Sequence, residues 1–169
     1  EELLNLCNQY NVQISTSLDG PEYIHNKNRG RIDSYNNVIR GIEKARAYVG
    51  HNNVNALMTA STFGVEYPTE IVDEYIKLGF RSIFLRALNP YGLASENEDW
   101  DCYNSKFIDF YKTALSYIIE LNINGVFFVE EFAAILLRKM LTPFNTGFVD
   151  LQSPAGIINS VIVYNYDGY

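Results

Sequence analysis

Short β-prone runs alternate with amphipathic helical segments along the first half of this chain. The strand-like runs lie at residues 12–18, 55–59 and 82–88. Residues 56–58 are apolar without a break, which is typical of a strand covered on both faces of a parallel sheet. Alternation at this spacing predicts right-handed crossovers and a mainly parallel sheet. We therefore expect an α/β fold.

Capping signals set the bounds of the predicted helices. Ser34 is suited to an N-cap because its hydroxyl can accept a hydrogen bond from an orphan amide. Gly50 suits the left-handed position after a helix, and Pro68 suits a first turn. The segment 19–30 reads as a loop. Helices are predicted at residues 1–10, 34–49, 68–78, 104–121 and 129–141, and a last strand at 157–166.

The length and order of these elements limit the architecture. With 169 residues, a single domain spanning 1–169 is expected. Three or four strands do not close a barrel, and a full (β/α)₈ barrel needs roughly 250 residues. The pattern therefore predicts a portion of a partial TIM-type barrel, or a small open α/β sheet. Because the sequence starts in a helical pattern at Glu1 and stops after an Asp-Gly turn at Tyr169, we expect a piece of a longer protein.

Charge and cysteine usage exclude several classes of protein. The formal net charge of -7 disfavours nucleic-acid binding, since phosphate neutralisation needs clustered Lys and Arg. Cys7 and Cys102 lie far apart and in no motif, which predicts a reducing, cytoplasmic compartment. No apolar run reaches the roughly 18 residues that a membrane span needs. We expect neither a nucleic-acid nor a membrane partner.

Polar groups follow the first predicted strand, and parallel α/β folds bind ligands at the carboxyl ends of their strands. Ser17 offers a hydroxyl there. Arg29 offers a forked cation that can hold a carboxylate bidentately. The alternative interpretation is that Asp19-Gly20-Pro21 is turn chemistry alone and that Arg29 is a solvated loop charge.

Other reactive side chains do not form a recognisable motif. His25 can act as an acid, a base or a metal ligand, but no Cys or carboxylate lies at ligand spacing, so we expect no metal site. Glu130-Glu131 opens a predicted helix, where carboxylates complement the helix dipole. No G-x-S-x-G elbow, G-x-G-x-x-G or P-loop occurs, and the catalytic residues stay unknown.

The motif S-L-D-G-P-E-Y-I-H-N-K-N-R at residues 17–29 resembles radical SAM enzymes of the SPASM type, the group of anaerobic sulfatase maturases and peptide-modifying maturases. Residues 35–45 and 70–88 are similar to the next helix and the next helix-strand unit of that family. N-P-Y-G at 89–92 resembles in particular the radical SAM maturases of His-Xaa-Ser repeat systems. Residues 156–169 resemble the stretch that leads into the auxiliary-cluster region.

This resemblance implies cofactor-binding roles for three residues. Ser17 matches the family serine that contacts S-adenosylmethionine, and Arg29 matches the arginine that grips its methionine carboxylate. Leu88 matches the apolar residue that packs near the adenine. The implied activity is reductive cleavage of S-adenosylmethionine and hydrogen abstraction from a peptide or protein. That substrate would be a His-Xaa-Ser repeat protein, facing loops 63–67 and 89–103.

The sequence departs from the family pattern at its clusters. The C-x-x-x-C-x-x-C loop, whose three thiolates hold the [4Fe-4S] cluster, is absent. Ser153 stands where many relatives have the first auxiliary-cluster cysteine. We therefore expect S-adenosylmethionine and the cluster in the longer protein. We expect no bound cofactor and no activity in residues 1–169 alone.

Two other functions stay open at this point. A non-catalytic α/β module could bind a small anion or a protein partner at the same strand ends. A cluster-free barrel hydrolase could use Asp19 and Glu66 as acid and base. A cut barrel would leave open strand edges and uncovered apolar faces, so we expect the chain to associate with itself or to be marginally stable alone.

Overall fold

The computed structural model describes residues 1–89 and 99–148 of the chain. The chain divides into two compact units, Glu1–Glu130 and Glu131–Tyr169. The helices are α1 (Glu2–Gln9), α2 (Glu22–Arg29), α3 (Ser34–Val49), α4 (Pro68–Lys77), α5 (Trp100–Ile123) and α6 (Glu131–Leu141). The strands are β1 (Ile14–Ser17), β2 (Val54–Leu57), β3 (Ser82–Ile83) and β4 (Val129–Glu130). Single 3₁₀ turns lie at His51–Asn53 and Gly64–Glu66.

All strand pairs among the described residues of the first unit are parallel. β1 pairs with β2, and β3 pairs with β4. Beyond the ends of β2 and β3, a parallel bridge joins Ala60 to Ala87, where the Ala60 N–H donates to the Arg86 carbonyl at 2.8 Å. Strands that neighbour each other in the sheets therefore follow each other in the chain. This confirms the predicted α/β class with parallel pairing.

The two faces of the β1–β2 sheet differ. Val54 and Ala56 are buried, whereas Ser15, Ser17 and Asn55 are exposed. The register sets Ser17 beside Leu57, which is also exposed. Because successive side chains of a strand point to opposite faces, one face meets the core and the other is exposed. The prediction from residues 56–58 of a strand covered on both faces is therefore wrong, since Leu57 is exposed.

The core of the first unit lies between the strands and the helices that follow them. α4 packs against α5, and α3 packs against α1 and α2. Burial of large apolar side chains is the main favourable term for such a layer. The largest fully buried side chains include Tyr75, Tyr103, Phe110, Phe128, Leu18, Ile24, Met58, Ile71 and Ile83.

The structure corrects the loop predicted at 19–30, because residues 22–29 form helix α2. Pro21 precedes the helix with φ -54°, a value suited to a helix start. Ile24 and His25 are buried on one face, and Gly30 ends the helix in the left-handed conformation. The prediction failed because an eight-residue polar helix with two buried positions shows little apolar periodicity.

Three further predictions need correction. Asp33 occupies the N-cap position of α3, and Ser34 is its first helical residue. Residues 129–130 form strand β4, so α6 starts at Glu131 and not at 129. The strand predicted at 82–88 is regular only at Ser82–Ile83. The strand predicted at 157–166 and the N-P-Y-G turn after Asn89 lie outside the described residues.

The second unit is described through α6 and the residues up to Phe148. The Phe132 and Phe148 rings meet edge to face, with centroids 6.1 Å apart. Leu137, Met140 and Leu141 are exposed on α6. Within residues 1–89 and 99–148, no helix combines the length and the apolar character that crossing a bilayer requires.

Candidate functional site

A buried carboxylate, Asp19, lies two residues after the end of β1 and is 2% exposed. Arg29 donates to it through two parallel bonds, Nε to Oδ2 and Nη2 to Oδ1, each 2.8 Å long. The Thr59 N–H, just beyond β2, donates to Oδ1 at 3.2 Å. A buried charge needs this kind of pairing. Asp19 thus joins the end of β1 to α2 and to the end of β2.

The backbone at Gly20 turns the chain sharply from Asp19 into α2. Its φ is +132°, and a Cβ added there would lie 2.8 Å from Cγ1 of Ile71. A side chain is therefore excluded both by conformation and by space. Arg29 lies in the last turn of α2, so the turn and one short helix bring its guanidinium back to Asp19.

His25 supports the same turn from within α2 and is 1% exposed. The Asp19 N–H donates to its Nδ1 at 3.2 Å, so Nδ1 carries the lone pair. Nε2 then carries the proton and donates to Ser34 Oγ at 3.1 Å. Burial lowers the pKa of His25, and Arg29 adds to this, against the opposing effect of Asp19. The ring is therefore neutral, and its 3.7 Å approach to Asp19 Oδ2 is not an ion pair.

Two buried tyrosines hydrogen-bond to backbone groups that lie just beyond the ends of β1, β2 and β3. The Tyr75 hydroxyl donates to the Leu18 carbonyl at 2.6 Å, and burial raises the pKa of Tyr75 well above its usual value. The Tyr103 hydroxyl donates to the Ala60 carbonyl at 2.6 Å and accepts from the Leu88 N–H at 2.7 Å. Side chains thus supply hydrogen bonds where the regular ladders have ended.

Glu130 also supplies a side-chain hydrogen bond to the backbone just beyond the end of β3. Its buried carboxylate accepts from the Leu85 N–H at 3.1 Å and from the Tyr111 hydroxyl at 2.7 Å. Burial and this bond raise the pKa of Tyr111. Both Glu130 and Glu131 were predicted to complement the dipole of a helix. Glu131 does begin α6, whereas Glu130 lies in β4 and bonds Leu85 and Tyr111.

The structure brings two of the three predicted cofactor-binding residues to one strand end. Ser17 is exposed at the end of β1, and Arg29 reaches Asp19 two residues later. The Arg29 side chain is 37% exposed, whereas the Asp19 side chain that it bonds is 2% exposed. Leu88 lies beyond β3, half-buried, with its N–H held by Tyr103. Among the described residues, no hydrogen bond joins Leu88 to Ser17 or Arg29.

Sequence reasoning missed the partners that hold this site. Arg29 was interpreted either as a cation that holds a ligand carboxylate or as a solvated loop charge, and its pairing with Asp19 was not foreseen. One signal for that pair was present: an acid directly after a strand, a Gly-Pro turn, and an arginine ten residues on. For Tyr75 and Tyr103 no local signal exists, because their partners lie 57 and 43 residues away.

The other candidate chemistries gain no geometric support. Among residues 1–89 and 99–148, no group of three His, Cys, Asp or Glu side chains is placed to hold a metal ion. Glu66 is exposed and pairs with Lys106 at 2.9 Å, while Asp19 is buried and bound by Arg29. A pair so occupied does not favour the acid–base roles of the hydrolase hypothesis.

Comparison with solved structures identifies the fold as similar to that of radical SAM enzymes. The similar structures are of anSMEcpe, an anaerobic sulfatase-maturating enzyme, with bound AdoMet and with AdoMet plus a Kp18Cys peptide. Each has a TM-score of 0.68 and 19% identity, and the match covers 83% of this chain. It covers 39% of the anSMEcpe chain, so the present sequence spans well under half of that enzyme. The sequence matches no protein-family model and no curated protein.

Proposed function

We propose that these residues form the S-adenosylmethionine-binding part of a radical SAM maturase that modifies a peptide or protein. One observation carries the proposal: Arg29 is bound to Asp19, two residues after the exposed Ser17 at the end of β1, in a chain whose fold is similar to that of an enzyme solved with bound AdoMet. At 19% identity the likeness concerns the fold, so the activity is inferred from the site. We further propose that the strands belong to a partial TIM-type barrel.

The chemistry of the two residues suits an amino-acid carboxylate. The Ser17 hydroxyl can donate one hydrogen bond, and a guanidinium can donate two parallel bonds to a carboxylate. Leu88 offers an apolar side chain that suits the adenine ring. In this arrangement the polar pair would hold the methionine end of the cofactor, and Leu88 would contact the other end.

The iron–sulfur cluster does not fit the residues of this sequence. The cluster loop needs three thiolates, and the 169 residues contain only Cys7 and Cys102. Cys7 is half-buried and Cys102 is exposed, and both are free. A longer protein would therefore have to supply the three cysteines that hold the cluster, and the cluster would pass an electron from an external reductant to S-adenosylmethionine.

A peptide substrate is the second part of the proposal. anSMEcpe has been solved with peptides, which supports a peptide for a chain of similar fold. The resemblance of N-P-Y-G favours a His-Xaa-Ser repeat protein as the substrate. The two isolated cysteines, which lie in no motif, favour a cytoplasmic location. One predicted substrate-facing loop, 63–67, carries Phe63, whose ring lies 5.0 Å from that of Tyr67 and under Lys27 Nζ at 3.4 Å. Aromatic rings and a cation are suitable contacts for a peptide.

Self-association through open strand edges remains part of the proposal. Among the described residues, β1 has β2 as its one ladder partner. An edge with unpaired N–H and C=O groups can template another strand. Light scattering on residues 1–169 tests this point, and a monodisperse monomer would contradict it.

Calorimetry on the full-length protein tests cofactor binding. Arg29→Ala should weaken S-adenosylmethionine binding by roughly tenfold or more, since bonds to a charged group are lost. Arg40→Ala is the matched control, because Arg40 is an exposed arginine in a weak 3.8 Å pair with Asp33. Equal affinity in wild type and Arg29→Ala would exclude the assigned role. If the wild type does not bind at all, the proposed function itself fails.

A further inference from the structure

We infer that Asp19 is a positioning residue for Arg29, which it orients so that one edge of the guanidinium is presented to a ligand carboxylate. The inference rests on the proposed function and adds a residue to which that function gives no role. Asp19 does not itself touch the ligand in this arrangement. It acts through the two bonds that it accepts from Arg29.

The bonding pattern leaves a complete second fork on Arg29. A guanidinium has five N–H donors in one plane. Asp19 takes the side edge, formed by Nε and one hydrogen of Nη2. The end edge, formed by Nη1 and the other hydrogen of Nη2, has the geometry for a second bidentate carboxylate. Because the group is planar, fixing the side edge also fixes the direction of the end edge.

Asp19 is itself held firmly enough to serve as a template. Its carboxylate also accepts from the Thr59 N–H, and its own N–H donates to His25. The preceding carbonyl, of Leu18, accepts from the Tyr75 hydroxyl. Asp19 is therefore bonded to α2 and to the backbone just beyond β2, and the adjacent Leu18 is bonded to α4. By contrast, the Arg29 side chain is 37% exposed at the end of a short helix, where an unheld arginine would sample many rotamers.

Charge and orientation predict opposite changes in ligand affinity when the Asp19 carboxylate is removed. A carboxylate beside Arg29 reduces the attraction of that cation for an anionic ligand. Neutralising Asp19 should therefore strengthen carboxylate binding if only charge mattered. If Asp19 positions the fork, the same change should weaken binding, because the preorganised geometry is lost. The sign of the change thus separates the two effects.

The experiment is a binding cycle with Asp19→Asn, Arg29→Ala and the double variant in the full-length protein. We expect Asp19→Asn to weaken S-adenosylmethionine binding roughly tenfold, and to add nothing further once Arg29 is alanine. Binding of 5′-methylthioadenosine, which has no carboxylate, should stay unchanged in all variants. Asp33→Asn is the matched control, since it removes the same charge from a 65% exposed aspartate.

Several outcomes would overturn the inference. Tighter or unchanged S-adenosylmethionine binding by Asp19→Asn would show that charge, not orientation, dominates. Equal loss in the presence and absence of Arg29 would show that Asp19 acts elsewhere, as would equal loss of 5′-methylthioadenosine. Failure of the wild type to bind S-adenosylmethionine would instead refute the proposed function.

A second measurement covers the case in which Asp19→Asn does not fold. Arg29→Lys keeps the positive charge and removes the fork, and it leaves the Asp19 carboxylate in place. We expect it to lose roughly as much S-adenosylmethionine affinity as Arg29→Ala, again with 5′-methylthioadenosine unchanged. Near-normal S-adenosylmethionine affinity in Arg29→Lys would show that a point charge suffices, and the positioning role would then be wrong.

Discussion

The backbone N–H of Asp19 donates to Nδ1 of His25 at 3.2 Å. β1 ends at Ser17, so this N–H lies beyond the regular ladder and is buried with its residue. An unpaired buried N–H is costly, and the imidazole supplies the missing acceptor. The bond therefore couples the end of the strand to the protonation state of one histidine.

Folding stability should fall as the pH drops below about 6.5, the ordinary pKa of histidine. The pKa of His25 in the folded protein is lowered by burial, with Arg29 acting in the same direction and Asp19 against it. Between the ordinary and the lowered value, the unfolded chain binds more protons, so stability is lost as the pH falls. Protonation would also place two donors, Nδ1–H and the Asp19 N–H, against each other.

Urea unfolding at about pH 7.5 and about pH 5.5 measures this effect. His25→Gln keeps an acceptor for the Asp19 N–H but does not titrate, so its stability should change less between the two pH values. His51→Gln is the control, because His51 is exposed and bonds the Gly79 carbonyl. A wild-type pH dependence equal to that of His25→Gln would contradict the prediction.

Local patterns explain why much of the fold was predictable. The period-2 alternation around Ile14 and Thr16 and the apolar run at 56–58 identified β1 and β2, since both signals arise from burial within a few residues. β4 was missed because a two-residue strand has no period of its own, and its pairing with Ser82–Ile83 spans a distant part of the chain.

The candidate site was predictable only in part. Ser17 and Arg29 were identified through the strand end and the family resemblance, which are properties of one short stretch. What holds that stretch is not local: Thr59, Ile71 and Tyr75 reach it from later elements. Such contacts depend on the tertiary arrangement of the chain, and single-sequence periodicity does not contain it.

Gly20→Ala should destabilise the protein by about 2 kcal/mol or more. The new Cβ would approach Ile71 Cγ1 to 2.8 Å, and φ +132° is a strained value for any side chain. Thermal or urea unfolding of residues 1–169 measures the change. Gly41→Ala is the matched control, since Gly41 lies within α3 with nothing within 4 Å of an added Cβ.

The control variant, Gly41→Ala, should have a higher free energy of unfolding than the wild type. Alanine is favoured over glycine in a helix interior by roughly 0.5–1 kcal/mol, so Gly41→Ala should stabilise the chain. If both variants lost the same stability, a general intolerance of added volume would explain the result, and the specific role of the Gly20 turn would be wrong.

Tyr103→Phe should destabilise the protein by about 1–3 kcal/mol, because it leaves the buried Ala60 carbonyl and the Leu88 N–H without the hydroxyl that joins them. Hydrogen exchange localises the effect, and the Leu88 amide should exchange faster relative to core amides. Tyr117→Phe is the matched control, since the Tyr117 hydroxyl bonds Asp73 at an exposed site. That variant should change stability by less than about 0.5 kcal/mol. Unchanged protection of Leu88 in Tyr103→Phe would show that the strand end is held by other contacts.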